Sequence, residues 1–205
     1  MKKHILLAGI CGIALIINGC TNNSSNISTK TNVVRKTSNY KVAATKDTKA
    51  LDVSYKEGNN LIKPYLEDAR DLQKSIRNGS VIMISKKSNG DFEVYNTASL
   101  DNFINCFNSG KQSYVRVIKG ISDNNGSLLV NKLEEYETDG KVIKDTAYDT
   151  YSNKDKFIPA KPIYLYKMLK MCSGNSIRYS TLQSKDTPKD MDGTVISFLK
   201  SSIKN

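Results

Sequence analysis

Between Ser113 and Gln183 the chain reads as five strand-like runs: SYVRVIKGI, SLLVNKLEEYE, KVIKDTAYDTYS, PIYLYKMLKMC and SIRYSTLQ. Ser122 to Gly126, Asp139-Gly140, the polar stretch after Ser152, and Ser173-Gly174-Asn175 separate them. This punctuation constrains the fold more than any other feature. A parallel crossover needs about a dozen residues or more, so links this short pair successive strands antiparallel.

Upstream, PYLEDARDLQKSIR (64–77) has a helical stripe, Ile62, Leu66, Ala69, Leu72 and Ile76. Pro64 suits a first helical turn, and Glu67 and Asp68 suit the positive helix start. The runs SVIMISK and DFEVYNT flank Asn89-Gly90, a hairpin signal. In ASLDNFINCFNSG, residues Leu100, Phe103, Ile104 and Phe107 share one helix face. The last run, GTVISFLKSSI, spaces Val195, Ile196, Leu199 and Ile203 as a helix does, and a strand is open there as well. The expected class is α+β: an antiparallel meander with one or two helices packed on one face, in a single domain over 64–205.

Residues 20–63 form a different kind of sequence. Half of the thirty residues from Thr21 to Ala50 are Ser, Thr or Asn, and the apolar ones follow no period. Such a stretch buries too little surface to offset its ordering entropy. It reads as a flexible tether, with a segment that folds on meeting a partner as the alternative. Residues 20–63 hold eight Lys/Arg against three Asp/Glu, whereas 64–205 hold 21 against 17. The tether is therefore the basic part, suited to anionic lipid or an anionic envelope polymer. The rest lacks a basic face interleaved with aromatics, so nucleic acid is not an expected partner.

The N-terminus supplies an address. Met1-Lys2-Lys3-His4 precedes thirteen uncharged residues, Ile5 to Ile17. As a helix these span about 20 Å, short of a hydrocarbon core of about 30 Å. A basic start, a short apolar run and a small residue before a cut mark a secretory signal over 1–19. Ile17-Asn18-Gly19-Cys20 resembles the lipobox of bacterial lipoproteins. That resemblance implies a diacylglyceryl group on Cys20 and cleavage between Gly19 and Cys20. It implies a mature chain anchored by acyl chains at the extracytoplasmic face of the cell membrane. Lys- and Asn-rich composition fits a low-GC Gram-positive source.

A second resemblance covers about residues 78–157. The succession NGSVIM, YNTASLDNFINCFNSGK, YVRVIKG, LEEYETDGKVI and DTYSNKDKF is similar to a family of small Gram-positive lipoproteins classed as a domain of unknown function. The matching positions are Asn78-Gly79, Leu100, Phe103, Gly110-Lys111, Arg116 and Tyr136 to Lys141. This chain departs by placing Glu137 and Thr138 before Asp139-Gly140. The resemblance implies the fold derived above and no particular reaction.

The chemistry is constrained by one absence. The sole histidine, His4, falls in the signal segment, so the rest of the chain has no imidazole for nucleophile activation or metal ligation. Ser197-Phe198-Leu199-Lys200 and Ser122-Asp123-Asn124 match penicillin-binding motifs, but in the reverse order and without Lys-Thr/Ser-Gly. Asp190-Met191-Asp192-Gly193 resembles part of a calcium loop whose first and twelfth positions would be Pro188 and Leu199, which are no ligands. Asp145, Asp149 and Asp155 are oxygen-ligand candidates or simply the solvated end of a strand. No cofactor and no metal site is expected.

Four residues remain as ligand-contact candidates. Arg116 alternates away from Val115 and Val117, as an anion contact or the polar side of a half-buried strand. Tyr148, Tyr164 and Tyr166 could share a sheet face as an aromatic platform, or pack across strands. Cys106 and Cys172 are either a disulfide or two free thiols. Together these features lead to the expectation of a lipid-anchored module that binds an envelope component or a partner protein. The alternative is a histidine-free envelope enzyme using Ser-Lys or paired carboxylates.

Overall fold

The computed structural model describes residues 55–57, 61–86, 92–188 and 192–204, all within the unit Asp47–Asn205. The signal segment with Gly19 and Cys20, most of 20–63, the Asn89-Gly90 turn and Asp190-Met191 lie outside the described residues.

A 3-10 turn at Leu66–Arg70 precedes α1 (Leu72–Arg77). The single helix expected over 64–77 is broken at Asp71, whose backbone is extended and bridges Ser127. The Leu72 amide donates to Gly126 O at 3.0 Å instead of to a helical carbonyl. Pairing with a strand end thus overrides a continuous apolar stripe. Asp71 then caps α1, accepting from the Lys74 amide at 2.9 Å.

The β-branched run forms β1 (Val81–Lys86), with β2 (Phe92–Tyr95) antiparallel beside it and Ile82 opposite Tyr95. Helix α2 (Thr97–Asn108) then carries the chain across to β3 (Ser113–Ser122). Strand β3 runs parallel to β1, with Val81 opposite Val117. This pair corrects the all-antiparallel expectation: a twelve-residue helix is long enough to return the chain to the far side of its own hairpin. Strands β4 (Leu128–Thr138) and β5 (Ile143–Asp149) follow as an antiparallel meander. Short strands β6 (Ile158–Pro159) and β7 (Ile163–Leu165) both pair with β5.

The run PIYLYKMLKMC is one segment by pattern and two in space. It breaks at Tyr166, and β8 (Lys167–Ser173) belongs to a second sheet with β9 (Ser176–Leu182) and β10 (Gly193–Leu199). The last run is a strand rather than a helix. A register shift between Thr194 and Ile196 buries both Val195 and Ile196 on the same core, which imitates helical spacing. A 3-10 turn, Lys200–Ser202, then leads to β11 (Ile203–Lys204), parallel to β2. The large sheet has the order β11-β2-β1-β3-β4-β5-β6, with β7 also on β5.

The class is α+β, mostly sheet with predominantly antiparallel pairing. The helices lie on opposite faces of the large sheet, not on one. Leu100 and Phe103 of α2 share a fully buried core with Val81, Val115, Val117 and the small sheet's Met168, Tyr179 and Ile196. On the other face Ala69 and Leu72 pack on Ile82, Ile84, Ile118 and Leu133. Burying each large side chain fully contributes about 1.5–3 kcal/mol.

Candidate functional site

Arg116 lies on the α1 face of β3 and is 2 % exposed. Its direct cross-strand neighbour is Glu135 of β4. Arg116 Nη2 and Nε donate to Glu135 Oε1 at 2.7 and 3.0 Å. Nη1 donates to Tyr65 O at 2.9 Å and Nη2 to Pro64 O at 2.8 Å. The Tyr114 and Tyr148 hydroxyls donate to Glu135 Oε1 and Oε2 at 2.5 and 2.7 Å. Burial by itself would raise the Glu135 carboxyl. The two hydroxyls and the guanidinium outweigh it and hold the group below the usual carboxylate range. Arg116 is consumed by this network and does not face solvent as an anion contact.

The segment before Leu66 completes the network as a strap. The Tyr55 hydroxyl donates to Glu137 Oε2 at 3.2 Å, and the Lys56 amide donates to Asp139 Oδ2 at 3.3 Å. Lys63 Nζ lies 2.8 Å from Glu137 Oε1. Among the described residues, Tyr55, Lys56 and Lys63 thus make folded contacts inside the stretch expected to be tether.

The tyrosines do not form one platform. Tyr148 is committed to Glu135, and burial pushes its hydroxyl up, aided by that carboxylate. Tyr164, 42 % exposed, sits beside Tyr55 with ring centroids 6.0 Å apart. Tyr166 stands where the chain passes between sheets, with its amide donating to Leu182 O at 2.9 Å. Cys106 and Cys172 are two free thiols, the first half-buried on α2 and the second exposed on β8. Ser197 and Lys200 are exposed. Asp149 caps a turn through the Tyr151 and Ser152 amides. Among the described residues no group of three or more His, Cys, Asp or Glu is placed to hold a metal ion, so Asp145, Asp149 and Asp155 do not gather.

The distinctive chemistry lies on the other face of the large sheet, where it meets β9 and β10. A cleft of about 290 Å³ is lined by Lys132, Glu134 and Tyr136 of β4 and Asp145 of β5. Its far wall includes Thr181, Asp192 and Thr194, and Ile163, Leu165 and Val195 supply its apolar patch. Registry explains the grouping. Tyr136 faces Asp145 directly and Glu134 faces Ala147, so Glu134 and Asp145 are diagonal neighbours on one face, with backbones about 7–8 Å apart.

Most polar atoms in the cleft are engaged. Lys132 Nζ lies 2.8 Å from Glu134 Oε1, and the Tyr136 hydroxyl donates to Glu134 Oε2 at 2.5 Å. Asp192 is paired with Arg178. Two acceptors are left over: Asp145 Oδ1 and Asp192 Oδ2 are buried with no hydrogen-bond partner among the described residues. Asp145 is only 9 % exposed. Burial, reinforced by the Glu134 charge, pushes its pKa up to about 7, with Lys132 pulling the other way. Lys119, opposite Lys132 in the register, is pushed down by burial and by that neighbouring charge.

Of these residues, the sequence singles out Asp145 as an oxygen-ligand candidate or solvated strand end, Asp192 within a calcium-like loop, and Tyr136 within the family resemblance. Lys132 and Glu134 were hidden by a bulge. The β3–β4 register shifts at Gly120, so Val130 and Leu133 face α1 while Lys132, Glu134 and Tyr136 face the cleft. A glycine inside a strand run was the available signal. A Cβ on Gly120 would lie 2.5 Å from Leu129 O.

Comparison with known protein families, curated proteins and solved structures finds no match to this chain.

Proposed function

We propose that this protein is a lipid-anchored extracytoplasmic lipoprotein that acts as a binding module for an envelope component or partner protein, with the intersheet cleft as its binding feature. The carrying observation is the Asp145 carboxylate, buried against an open cleft with an oxygen that no donor among the described residues satisfies. Leaving a buried acceptor unmet costs about 1–3 kcal/mol, and a ligand donor repays it. The Ile17-Asn18-Gly19-Cys20 border supports the anchoring, and the basic 20–63 segment supports contact with anionic lipid or envelope polymer. Acyl chains on Cys20 contribute about 0.8 kcal/mol per buried CH₂, and two chains give stable attachment.

A second reading is favoured by the Glu134–Asp145 pair. Two carboxylates in one cleft, one titrating near neutrality, are the elements of acid and base catalysis. An envelope hydrolase would use Asp145 as the acid.

Two experiments test the reading. Mass spectrometry of the membrane-extracted protein is expected to find acylated Cys20 as the first residue, and Cys20→Ala to leave full-length precursor or released protein. An unmodified Cys20 refutes the anchor. Wild-type protein purified from cross-linked envelopes is expected to retain material that Asp145→Asn loses, and equal retention refutes the cleft. Fragments released from isolated envelopes by wild type, and by neither Asp145→Asn nor Glu134→Gln, would establish the enzyme instead.

A further inference from the structure

Resting on the binding reading above, we infer that the intersheet cleft recognises an alkylammonium group, a protonated primary amine on an apolar stem.

Lys132 is engaged by Glu134 and reaches Thr194 O at 3.5 Å, and Arg178 is engaged by Asp192. The cations at the cleft therefore have counter-charges. The unmet atoms lining it are acceptors, Asp145 Oδ1 on β5 and Asp192 Oδ2 just before β10, while Arg178, outside the lining, keeps a buried Nε with no partner among the described residues. An occupant must bring donors to both walls. An anion brings none and would meet Glu134, Asp145 and Asp192. A neutral hydroxyl brings one donor. An ammonium brings three, and its bonds to carboxylates are charge-assisted, about twice as strong as neutral ones.

Size and lining agree. A cleft of about 290 Å³ sits at the small end of ligand pockets, which begin near 300 Å³. Ile163, Leu165 and Val195 offer an apolar wall for a methylene stem, and Ile163 is half exposed at the rim. The same chemistry comes from a free amine or from a lysine side chain of a peptide.

The test is calorimetry on the full-length protein in detergent with four probes: n-pentylamine, an acetyl-lysine amide with a free side-chain amine, pentan-1-ol and pentanoate. The expected result is saturable one-site binding of at least one amine, with the alcohol and the acid at least tenfold weaker. Binding of pentylamine alone identifies a small-molecule source, and binding of the lysine derivative alone identifies a peptide source. Asp145→Asn is expected to weaken amine binding tenfold or more. Lys132→Met, which removes a competing cation, is expected to tighten it severalfold, a gain that a misfolded variant cannot give. Equal binding of pentan-1-ol, tighter binding of pentanoate, or silence from all four overturns the amine assignment. The binding-module reading is judged separately, by whether envelope material is retained on wild type and lost on Asp145→Asn.

Discussion

Arg116 and Glu135 face each other across β3 and β4, joined by two hydrogen bonds with neither side chain more than 7 % exposed. Desolvating both charges is costly, and the pair holds because Tyr114, Tyr148 and the Pro64 and Tyr65 carbonyls satisfy what remains. Arg116→Ala strands Glu135 and is expected to cost about 3–5 kcal/mol in urea unfolding. The double change Arg116→Met with Glu135→Leu is expected to cost far less. Because the folded state holds the Glu135 carboxyl low, its contribution is present above the unfolded pKa near 4.5 and is lost as pH falls through the folded value.

Asp145 titrates with the opposite sign. Its folded pKa of about 7 exceeds the ordinary aspartate value of 3.8, so its stabilising share is complete below about pH 4 and disappears as pH rises through 7. The groups around it are Glu134, Lys132 and Tyr136 on its own sheet, with Asp192, Thr181 and Thr194 opposite. Between pH 5 and pH 9 this site is expected to remove roughly 3 kcal/mol. Asp145→Asn is expected to flatten that part of a melting-temperature profile.

Gly140 and Gly110 pose a sharper contrast. Both have positive φ, +88° and +69°. A Cβ on Gly140 would lie 2.2 Å from the Gly110 carbonyl carbon, whereas one on Gly110 meets nothing within 4 Å. Gly110→Ala is expected to cost about 1–2 kcal/mol, the conformational term alone. Gly140→Ala is expected to cost clearly more, because backbone must move, and the same denaturant titration ranks the two.

Glu137 secures the strap, receiving Tyr55 and Lys63 while Lys144 lies 3.6 Å away. Glu137→Ala is expected to release it. Amide exchange at Lys56 should accelerate about tenfold or more, with a global loss of roughly 1–3 kcal/mol. Unchanged exchange at Lys56 would show that the strap is held by its other contacts.

These residues also mark what a reader of the sequence can reach. Strands β1 to β5, β9 and helix α2 lie where alternation, turn signals and the Leu100–Phe107 stripe place them, because each is decided by neighbours a few residues away. The failures sit where distant contacts decide. Asp71 leaves its helix for Ser127, Tyr166 divides one apolar run between two sheets, and β11 reaches β2. The site was half legible. Arg116 alternates to the face predicted, yet only the fold shows Glu135 opposite it and Pro64 and Tyr65 above it. Asp145 and Glu134 converge through a register that the Gly120 bulge resets.

The small sheet enters the structure through the single residue Tyr166, from β7 beside β5, and leaves it through Lys200–Ser202, into β11 beside β2. It is thus moored near both margins of the large sheet by links of one and three residues. Neither layer can slide past the other without stretching one mooring. The gap that holds Asp145 is thus bounded by two layers whose relative travel is limited to what one linking residue on one side and three on the other allow.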